Sequence, residues 1–323
     1  MRKTHLAVAV ALLSLYGTSP AFAAPAGPMP HVAVQGASFY RFRVGAVTVT
    51  ALSDGTVPQD LHALLRSTTQ AKTDALLDAS FLRNPIEASI NAFLIALPDR
   101  LALVDTGSGE LFGPGNGGKL LSSLAAAGYR PEQITDILIT HVHTDHSGGL
   151  VHEGKIVFPN ATVHVGKPDV DFFLNPANSG KSGYERKYFD EAIKTLKPYV
   201  DAGKVAAFSR TTEVVPGVTA TLHPGHTPGS AFYTLTSQGE RVTFIGDIIH
   251  VASVQFPDPS VTIVYDVDPK AAEAAREQAF AELASDRELV AAPHLPFPGV
   301  GHIRRAAKGY QWIPVEYANR EGD

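Results

Sequence analysis

The feature that most constrains this chain is a cluster of metal-binding side chains at residues 141–146, which read His-Val-His-Thr-Asp-His. The cluster follows the short apolar stretch at residues 136–140, which predicts a buried strand. A loop at a strand end holds its side chains at one edge of a rigid sheet, where a site can be pre-organised. The first two histidines can reach one ion from an extended backbone, and the aspartate and last histidine point to a second. Gly148 and Gly149 then predict a sharp turn.

Further ligand types follow in separate segments of the chain. His226 lies within His-Pro-Gly-His-Thr-Pro-Gly, Asp247 follows Phe-Ile-Gly, and His294 follows Ala-Pro. Asp105 ends an earlier apolar stretch, in Val-Asp-Thr-Gly. Taken with these segments, the His-x-His-x-Asp-His run resembles the signature of the metallo-β-lactamase superfamily, over residues 39–317. The resemblance implies an α/β fold, an αββα four-layer sandwich.

The resemblance also implies two divalent metal ions that share Asp247. One ion is expected to bind His141, His143, His226 and Asp247, and the other Asp145, His146, His294 and Asp247, with Asp105 supporting the ligands from behind. Imidazole and carboxylate donors suit zinc, which we expect, and also iron, manganese or cobalt. The β-lactamases of this superfamily carry Cys or Ser where this chain has Asp247, and the chain has no cysteine. A β-lactamase is therefore excluded.

Three segments resemble one group within the superfamily more closely. They are residues 52–56 (Leu-Ser-Asp-Gly-Thr), 111–114 (Leu-Phe-Gly-Pro) and 294–302 (His-Leu-Pro-Phe-Pro-Gly-Val-Gly-His). The group is that of methyl parathion hydrolase, whose relatives include lactonases and arylesterases such as the dihydrocoumarin hydrolases. This resemblance implies a homodimer and a pocket of aromatic and aliphatic side chains.

The expected pocket residues are Phe112, Phe173, Tyr188, His250, Ile263 and Tyr265. Ordinary core packing is the alternative for each aromatic residue, and hydrogen bonding behind the ligands is the alternative for His250. Organophosphate-degrading members of the group carry aliphatic residues where this chain has His250 and Tyr265. The difference favours a flat, neutral lactone or aryl ester over a phosphotriester. A role for His302 in the site stays open.

The predicted reaction is hydrolysis by a hydroxide that bridges the two ions, with Asp145 and Asp247 as catalytic residues. Asp145 is either a ligand only or also a group that orients the hydroxide and relays its proton. The expected substrate is a lactone or aryl ester, with side activity on organophosphate triesters. The alternatives are a true methyl parathion-type organophosphate hydrolase, a glyoxalase II-like thioesterase and a non-catalytic binding protein.

The ends of the chain and its charge bear on location and partners. Residues 1–23 have a basic start, an apolar run and a small-residue cleavage signal, which predict a signal peptide and an exported, periplasmic or secreted protein. Residues 24–37 are predicted to be a flexible arm, and residues 38–323 a single hydrolase domain without a membrane anchor. Without residues 1–23 the formal charge becomes about −7, from −5 for the whole chain. That charge disfavours a nucleic-acid partner.

Hydrophobic patterning predicts the elements that connect these motifs. Strands are predicted at residues 39–44, 47–52, 92–97, 101–104, 136–140, 155–158, 162–165, 219–223, 231–236, 241–245 and 288–292. Helices are predicted at residues 119–127, 170–174, 184–200 and 269–284, and residues 61–82 as helical or irregular. Two β-rich parts, each followed by helices, predict two packed sheets with helices outside.

Overall fold

Two seven-stranded β-sheets lie face to face in the computed structural model, which describes residues 38–182 and 184–319. The strands are β1 (Phe39–Val44), β2 (Val47–Gln59), β3 (Leu65–Arg66), β4 (Ile86–Ala96), β5 (Leu101–Val104), β6 (Asp136–Ile139), β7 (Val151–His152), β8 (Lys155–Ile156), β9 (Thr162–Gly166), β10 (Val205–Phe208), β11 (Thr212–Val215), β12 (Val218–Leu222), β13 (Ala231–Ser237), β14 (Glu240–Phe244), β15 (Thr262–Ile263), β16 (Leu289–Ala291), β17 (Val300–Arg305) and β18 (Tyr310–Pro314). The helices are α1 (Leu61–Leu64), α2 (Gln70–Asp78), α3 (Leu120–Ala126), α4 (Thr144–Ser147), α5 (Lys167–Phe173), α6 (Ala177–Ser182), α7 (Arg186–Asp201), α8 (Ala252–Gln255) and α9 (Pro269–Asp286).

Each large sheet combines antiparallel and parallel pairing. The first has the order β1-β2-β4-β5-β6-β9-β10, antiparallel as far as β5 and parallel beyond it. The second has the order β11-β12-β13-β14-β16-β17-β18, with β14 and β16 as its parallel pair. The short pairs β3–β15 and β7–β8 stand apart from both sheets.

Alternation along the strands divides the hydrophobic core into layers. In β4, Phe93 and Ile95 pack between the two sheets, whereas Ala92 and Leu94 face the other way. That outer face of the first sheet packs with residues of α3, α5 and α7, and the outer face of the second sheet packs with α9. Helices therefore cover both outer faces, and the predicted αββα sandwich is confirmed.

Local signals set the limits of the longest helix, α9. The Asp268 side chain accepts a hydrogen bond from the Ala271 amide (3.1 Å), and Pro269 occupies the first turn, where it costs no intrahelical bond. Arg287 ends the helix in the left-handed conformation. The prediction for residues 269–284 therefore ends two residues early.

Other predictions miss or misplace elements. The strands β10 and β11 were not predicted, because residues 205–208 and 212–215 mix exposed and buried positions and give no clear period. The strand β2 is longer than predicted because it continues past Gly55, where its register with β4 shifts. Residues 61–82, predicted as helical or irregular, contain α1, β3 and α2. The strand predicted at residues 155–158 is shorter in the structure, where only β8 at residues 155–156 forms.

The ends of strands from both sheets meet at one edge of the sandwich. Asp105 follows β5 and His141 comes two residues after β6, while Asp247 and His294 come three residues after β14 and β16 of the other sheet. The described residues form one compact unit. The predicted signal peptide and arm lie outside the described residues. Within the described part, no helix combines the length and apolar character needed to span a membrane.

Candidate metal centre

The first donor group consists of three imidazoles and one carboxylate. His143 Nδ1 lies 3.1 Å from His141 Nε2 and 3.0 Å from His226 Nε2. Asp247 Oδ2 closes the group, at 3.6 Å from His141 Nε2 and 3.5 Å from His226 Nε2. All four residues are buried. Nitrogen and oxygen atoms from three separate segments therefore converge on one point.

The second donor group lies on the other side of Asp247. Asp145 places one carboxylate oxygen 3.6 Å from His146 Nε2 and the other 3.5 Å from His294 Nε2. Asp247 contacts both of these imidazoles, with Oδ1 3.2 Å from His146 Nε2 and Oδ2 3.1 Å from His294 Nε2. The carboxylate of Asp247 thus lies between the two groups, as a bridging ligand must.

Hydrogen bonds orient the imidazoles of the first group. His141 Nδ1 lies 3.1 Å from Thr140 Oγ1, and His143 Nε2 lies 2.8 Å from the Tyr184 hydroxyl. In each ring the outward nitrogen donates, so the inward nitrogen presents its lone pair to the centre.

The remaining imidazoles are held in the same way. His226 Nδ1 donates to Asp266 Oδ1 at 2.8 Å, His294 Nδ1 donates to the Ser89 carbonyl at 2.8 Å, and His146 Nδ1 donates to a carboxylate oxygen of Asp105 at 2.8 Å. All five ligand-type histidines therefore have a hydrogen bond on the outward nitrogen and direct the other nitrogen at the centre, which is the arrangement typical of metal ligands.

Asp105 is the predicted supporting residue, and the structure places it behind His146. Its carboxylate also accepts hydrogen bonds from the amide and the hydroxyl of Thr140, both at 2.8 Å. Asp105 adopts a φ of +58°, which is strained for a residue other than glycine. These bonds tie the end of β5 to the start of the His cluster.

Burial and neighbouring charges shift the pKa values of the donor histidines. Burial and the adjacent imidazole of His146 hold the pKa of His141 well below its ordinary value, and burial acts in the same way on His143. At His146 and His294 burial alone would lower the pKa, but the surrounding carboxylates, Asp247 and Asp145 among them, together outweigh it. They raise the pKa of His146 well above its ordinary value and the pKa of His294 to about 9. The carboxylates thus favour positive charge at this point, which a divalent ion would supply.

Buried atoms without partners show that the residues fit divalent ions. His146 Nε2 and Asp247 Oδ1 have no hydrogen-bond partner among the described residues. A buried polar atom is costly when unpaired, and a cation between an imidazole nitrogen and a carboxylate oxygen removes that cost. Within the described residues, three sets have ligand atoms within 4.8 Å of one another: His141, His143, His226 and Asp247; Asp145, His146 and His294; and Asp247, His250 and His294.

Two buried aspartates that the sequence analysis missed support the centre. Asp169 accepts hydrogen bonds from the amides of Val142 (2.9 Å) and Gly229 (2.6 Å) and from the Thr227 hydroxyl (2.8 Å). It joins the loop of the His cluster to the loop that carries His226. Burial raises the pKa of Asp169 to about 6 despite these bonds.

Asp266 is the second missed residue, and it reaches further into the fold. Besides His226 it accepts a hydrogen bond from the Ile263 amide (3.0 Å) and lies 3.8 Å from a guanidinium nitrogen of the buried Arg276. Arg276 donates to the carbonyls of Ile248, Pro259 and Val261. No local pattern marks Asp169 or Asp266, because their partners are distant in sequence.

The glycines after the His cluster serve close packing. A Cβ at Gly149 would lie 2.0 Å from the Thr106 carbonyl oxygen, and one at Gly148 would lie 2.4 Å from that of Ser108. Neither glycine has a positive φ. They lie in a single 3₁₀ turn that follows α4, and close backbone approach to the loop after Asp105, rather than a positive φ, explains why both are glycine.

A cavity of about 130 Å³ opens onto the donors. Its lining includes four predicted pocket residues, Phe112, Tyr188, His250 and Tyr265. Gln59, Thr144 and Lys187 also line it and were not predicted. A larger hollow along β1 contains none of the donors. The smaller cavity is therefore the candidate active site.

Two predicted pocket residues lie elsewhere. Phe173 is fully buried in the core beneath the first sheet, where its ring packs edge-on against His143. Ile263 is buried in a cluster with Leu61 and Leu65, formed through the β3–β15 pair. Both are therefore core residues, as the packing alternative allowed. His302 lies on β17, with its ring bonded to the Glu288 carbonyl, and does not line the cavity.

Solved structures resemble this chain over most of its length. AbOPH, a hydrolase in the beta-lactamase superfamily, is 36% identical with a TM-score of 0.83, over 88% of this chain and 100% of that one. AidC, a dizinc quorum-quenching lactonase, is 29% identical with a TM-score of 0.79, over 88% of this chain and 99% of that one.

Curated relatives match over shorter regions. An N-acyl homoserine lactonase of Bacillus cereus is 27% identical over 111 residues, which are 34% of this chain and 36% of that protein. A ribonuclease of Thermus thermophilus is 26% identical over 189 residues, which are 56% of this chain and 40% of that protein. The chain thus spans less than half the length of these two relatives.

The family comparison covers the whole donor set. The model of the metallo-beta-lactamase superfamily matches residues 86–294, which include every donor described above. The match extends over more than half of the chain and agrees with the layered fold and with the converging His and Asp side chains. This chain therefore belongs to the metallo-beta-lactamase superfamily and is a metal-dependent hydrolase.

Proposed function

We propose that this protein hydrolyses lactones or aryl esters at a centre of two divalent metal ions. The observation that carries the proposal is the position of Asp247, whose carboxylate lies within 3.6 Å of imidazole nitrogens from both donor groups. The cavity beside it is lined by donors as well as by aromatic side chains. The likeness to AidC, a lactonase described as dizinc, supports both the metal count and the substrate class.

Zinc is the metal that we propose for both positions. The donors are imidazoles and carboxylates, and the histidines hold one tautomer before any ion binds. His141, His143, His226 and Asp247 would hold one ion, and Asp145, His146, His294 and Asp247 the other. When bound there, two divalent ions would supply a nucleophilic water near neutral pH and a Lewis acid for the substrate carbonyl.

Asp145 has the position of a proton-handling residue. It is the donor that is least buried, with 15% of its side chain exposed, and it lines the cavity. Its carboxylate therefore faces both the donor cluster and the substrate. We propose that it binds an ion and also takes the proton of the attacking water and passes it to the departing oxygen.

Two phenols in the cavity can bind the substrate. Burial holds the pKa of Tyr188 above its ordinary value and raises that of Tyr265 to about 12. Both side chains therefore stay protonated at neutral pH and can donate a hydrogen bond to an ester oxygen. Phe112 adds a flat apolar surface. These groups suit a planar, neutral ester or lactone.

His250 favours a lactone over a phosphotriester. Its ring is buried within the cavity wall, with Nε2 3.1 Å from Asp247 Oδ2 and 3% of the residue exposed. A polar ring there narrows the apolar space that the bulky substituents of a phosphotriester require. A glutathione thioester is also a poor fit, because Lys187 is the single lysine or arginine among the described residues that line the cavity.

A substrate panel with elemental analysis of the same sample tests the proposal. The substrates are dihydrocoumarin, an acyl-homoserine lactone and methyl parathion. We expect bound divalent metal and a higher kcat/KM for the lactones than for methyl parathion. A kcat/KM about tenfold higher for the phosphotriester would contradict the lactonase assignment. Metal content near zero without hydrolysis would favour the binding-protein alternative.

We also propose that the protein is exported and forms a homodimer, as the residues before 24 and the resemblance to the methyl parathion hydrolase group suggest. N-terminal sequencing of the protein recovered from the periplasm tests cleavage after Ala23. Light scattering of the purified protein tests the dimer, and a monomeric mass would contradict it.

A further inference from the structure

Gln59 is a buried polar residue of the cavity wall that the reaction described above does not use. It is the last residue of β2, and 8% of it is exposed. Its side chain lines the cavity together with Asp247, His250 and His294. The Oε1 atom is buried and has no hydrogen-bond partner among the described residues. A carboxamide acceptor therefore stands unpaired beside the donors.

The backbone around Gln59 is held on both sides. Before it, β2 pairs with β4, so that Gln59 lies opposite Ile86. After it, Asp60 caps α1 by accepting a hydrogen bond from the His62 amide at 3.1 Å. Asn84 accepts from the Leu61 amide at 2.7 Å and donates to the Asp60 carboxylate at 2.6 Å. The carboxamide thus projects from a pre-organised backbone, which suits a recognition group.

The unpaired oxygen of Gln59 differs from the other unpaired atoms of the centre. His146 Nε2 and Asp247 Oδ1 face each other within the donor cluster, where a cation satisfies them. Zinc in proteins binds imidazole, thiolate and carboxylate groups, so the Gln59 carboxamide is not one of its usual ligands. An acceptor that the protein leaves unpaired beside the donors can instead bind a hydrogen-bond donor of the substrate.

We infer that Gln59 is a specificity-determining residue that binds a secondary amide on the substrate. The amide N–H of the substrate donates a hydrogen bond to Oε1 of Gln59. A substrate that lacks the N–H leaves Oε1 buried and unpaired, so the site discriminates against it. This inference rests on the proposed function, because it concerns a lactone or ester held in the same cavity. The preferred substrate is then a lactone with an acylamino substituent.

A matched pair of lactones tests the inference on the metal-loaded enzyme. The two compounds are α-hexanoylamino-γ-butyrolactone and α-hexanoyloxy-γ-butyrolactone, which differ by replacement of N–H with oxygen. We expect the wild type to prefer the amide by about tenfold in kcat/KM. In Gln59→Met the preference should fall to near one. No preference in the wild type, or an unchanged preference in Gln59→Met, would overturn the inference.

Lys187→Met is the matched control. Lys187 lines the same cavity, and the substitution also replaces a long polar side chain with methionine. The preference for the amide should persist in this variant. An equal loss of preference in both variants would show that any change in the cavity wall has this effect, and Gln59 would then have no specific role.

Binding of lactams separates this inference from the proposed function. The lactam analogues of the two compounds resist hydrolysis, and calorimetry gives their dissociation constants. We expect the wild type to bind the amide lactam about tenfold more tightly than the acyloxy lactam, and Gln59→Met to bind them equally. Lactone hydrolysis without this difference would overturn the role of Gln59 and leave the proposed function standing. The difference without lactone hydrolysis would support Gln59 and overturn the proposed function.

Discussion

The metal donors and the wall of the substrate cavity are built differently, although they share one edge of the sandwich. Each of the five ligand-type histidines has a hydrogen bond on its outward nitrogen, for example to Asp105 or Asp266. In the wall, the His250 ring has no outward hydrogen bond of this kind, since its Nε2 lies 3.1 Å from Asp247 Oδ2 and its Nδ1 has no partner among the described residues, and Gln59 Oε1 also has none. The donors are thus oriented in advance, whereas the wall offers unpaired polar atoms to the substrate. Substitutions of the donors and their partners should therefore change metal binding and turnover, whereas substitutions in the wall should change substrate preference.

The largest effect is expected from Asp247→Ala, which removes the carboxylate shared by the two donor groups. Loss of the bridge should prevent both ions from binding and lower kcat/KM by at least about a thousandfold. Elemental analysis and lactone turnover on the same sample measure the two effects. Asp258→Ala is the control, because Asp258 pairs with Lys72 at the surface. If Asp247→Ala retained its metal and activity, a donor would matter no more to the chemistry than a wall residue, and the contrast between the two regions would fail.

The next largest effect is expected from Asp169, whose buried carboxyl group should make the unfolding free energy depend on pH. Burial raises the pKa of Asp169 to about 6, from an ordinary value of 3.8. The native state therefore holds this proton more tightly than the unfolded chain does. The unfolding free energy should fall as the pH rises from about 4 to about 6, by at most about 3 kcal/mol, and then level off.

Thermal unfolding of the chelated protein across this pH range measures the change. The variant Asp169→Asn cannot titrate, so its profile should be flatter than that of the wild type. Parallel profiles for the two proteins would show that Asp169 titrates at its ordinary value.

A smaller effect is expected from Asp105→Ala, which frees the outward nitrogen of His146. Loss of such an orienting bond lowers metal affinity by about 10- to 100-fold. Competition with a chelator measures the affinity of the second ion. Asp136→Asn is a matched control, since Asp136 is a buried aspartate that bonds His164 (2.9 Å) away from the donors. Equal metal affinity in Asp105→Ala and the wild type would mean that the donors do not need their outward bonds.

The smallest effect is expected in the wall, from His250→Leu. An aliphatic side chain enlarges the apolar part of the cavity and leaves every outward bond of the donors in place. The ratio of phosphotriester to lactone turnover should rise by about tenfold, with little change in metal content. Kinetics with methyl parathion and dihydrocoumarin measure the ratio. A large loss of metal in His250→Leu would place His250 among the ligands.

The same contrast explains what the sequence could predict. The donors come from short motifs at strand ends, and local spacing marks them, so all seven expected ligands lie together in the structure. Asp169 and Asp266 act through partners distant in sequence, so no local motif identifies them. Phe173 and Ile263 were assigned to the cavity, but tertiary packing buries both in the core. Gln59 reaches the cavity only because β2 continues beyond Gly55.

Fold class followed from the same reasoning, with errors where the apolar pattern is weak. The strands β5 and β6 and the second half of β4 are nearly continuous apolar runs and were predicted within a few residues, whereas residues 86–91 of β4, in which apolar residues alternate with polar ones, were missed. The edge strands β10 and β11 expose about as much as they bury, so their pattern does not differ from that of a loop.

The most direct test of the two-ion centre is the number of ions needed for activity. The enzyme is stripped with a chelator and titrated with zinc, while bound metal per chain and lactone turnover are followed in one sample. We expect activity to reach its maximum at two ions per chain, with Asp247→Ala inactive throughout. Full activity at one ion per chain, or activity in the stripped enzyme, would contradict a centre in which Asp247 joins two donor groups.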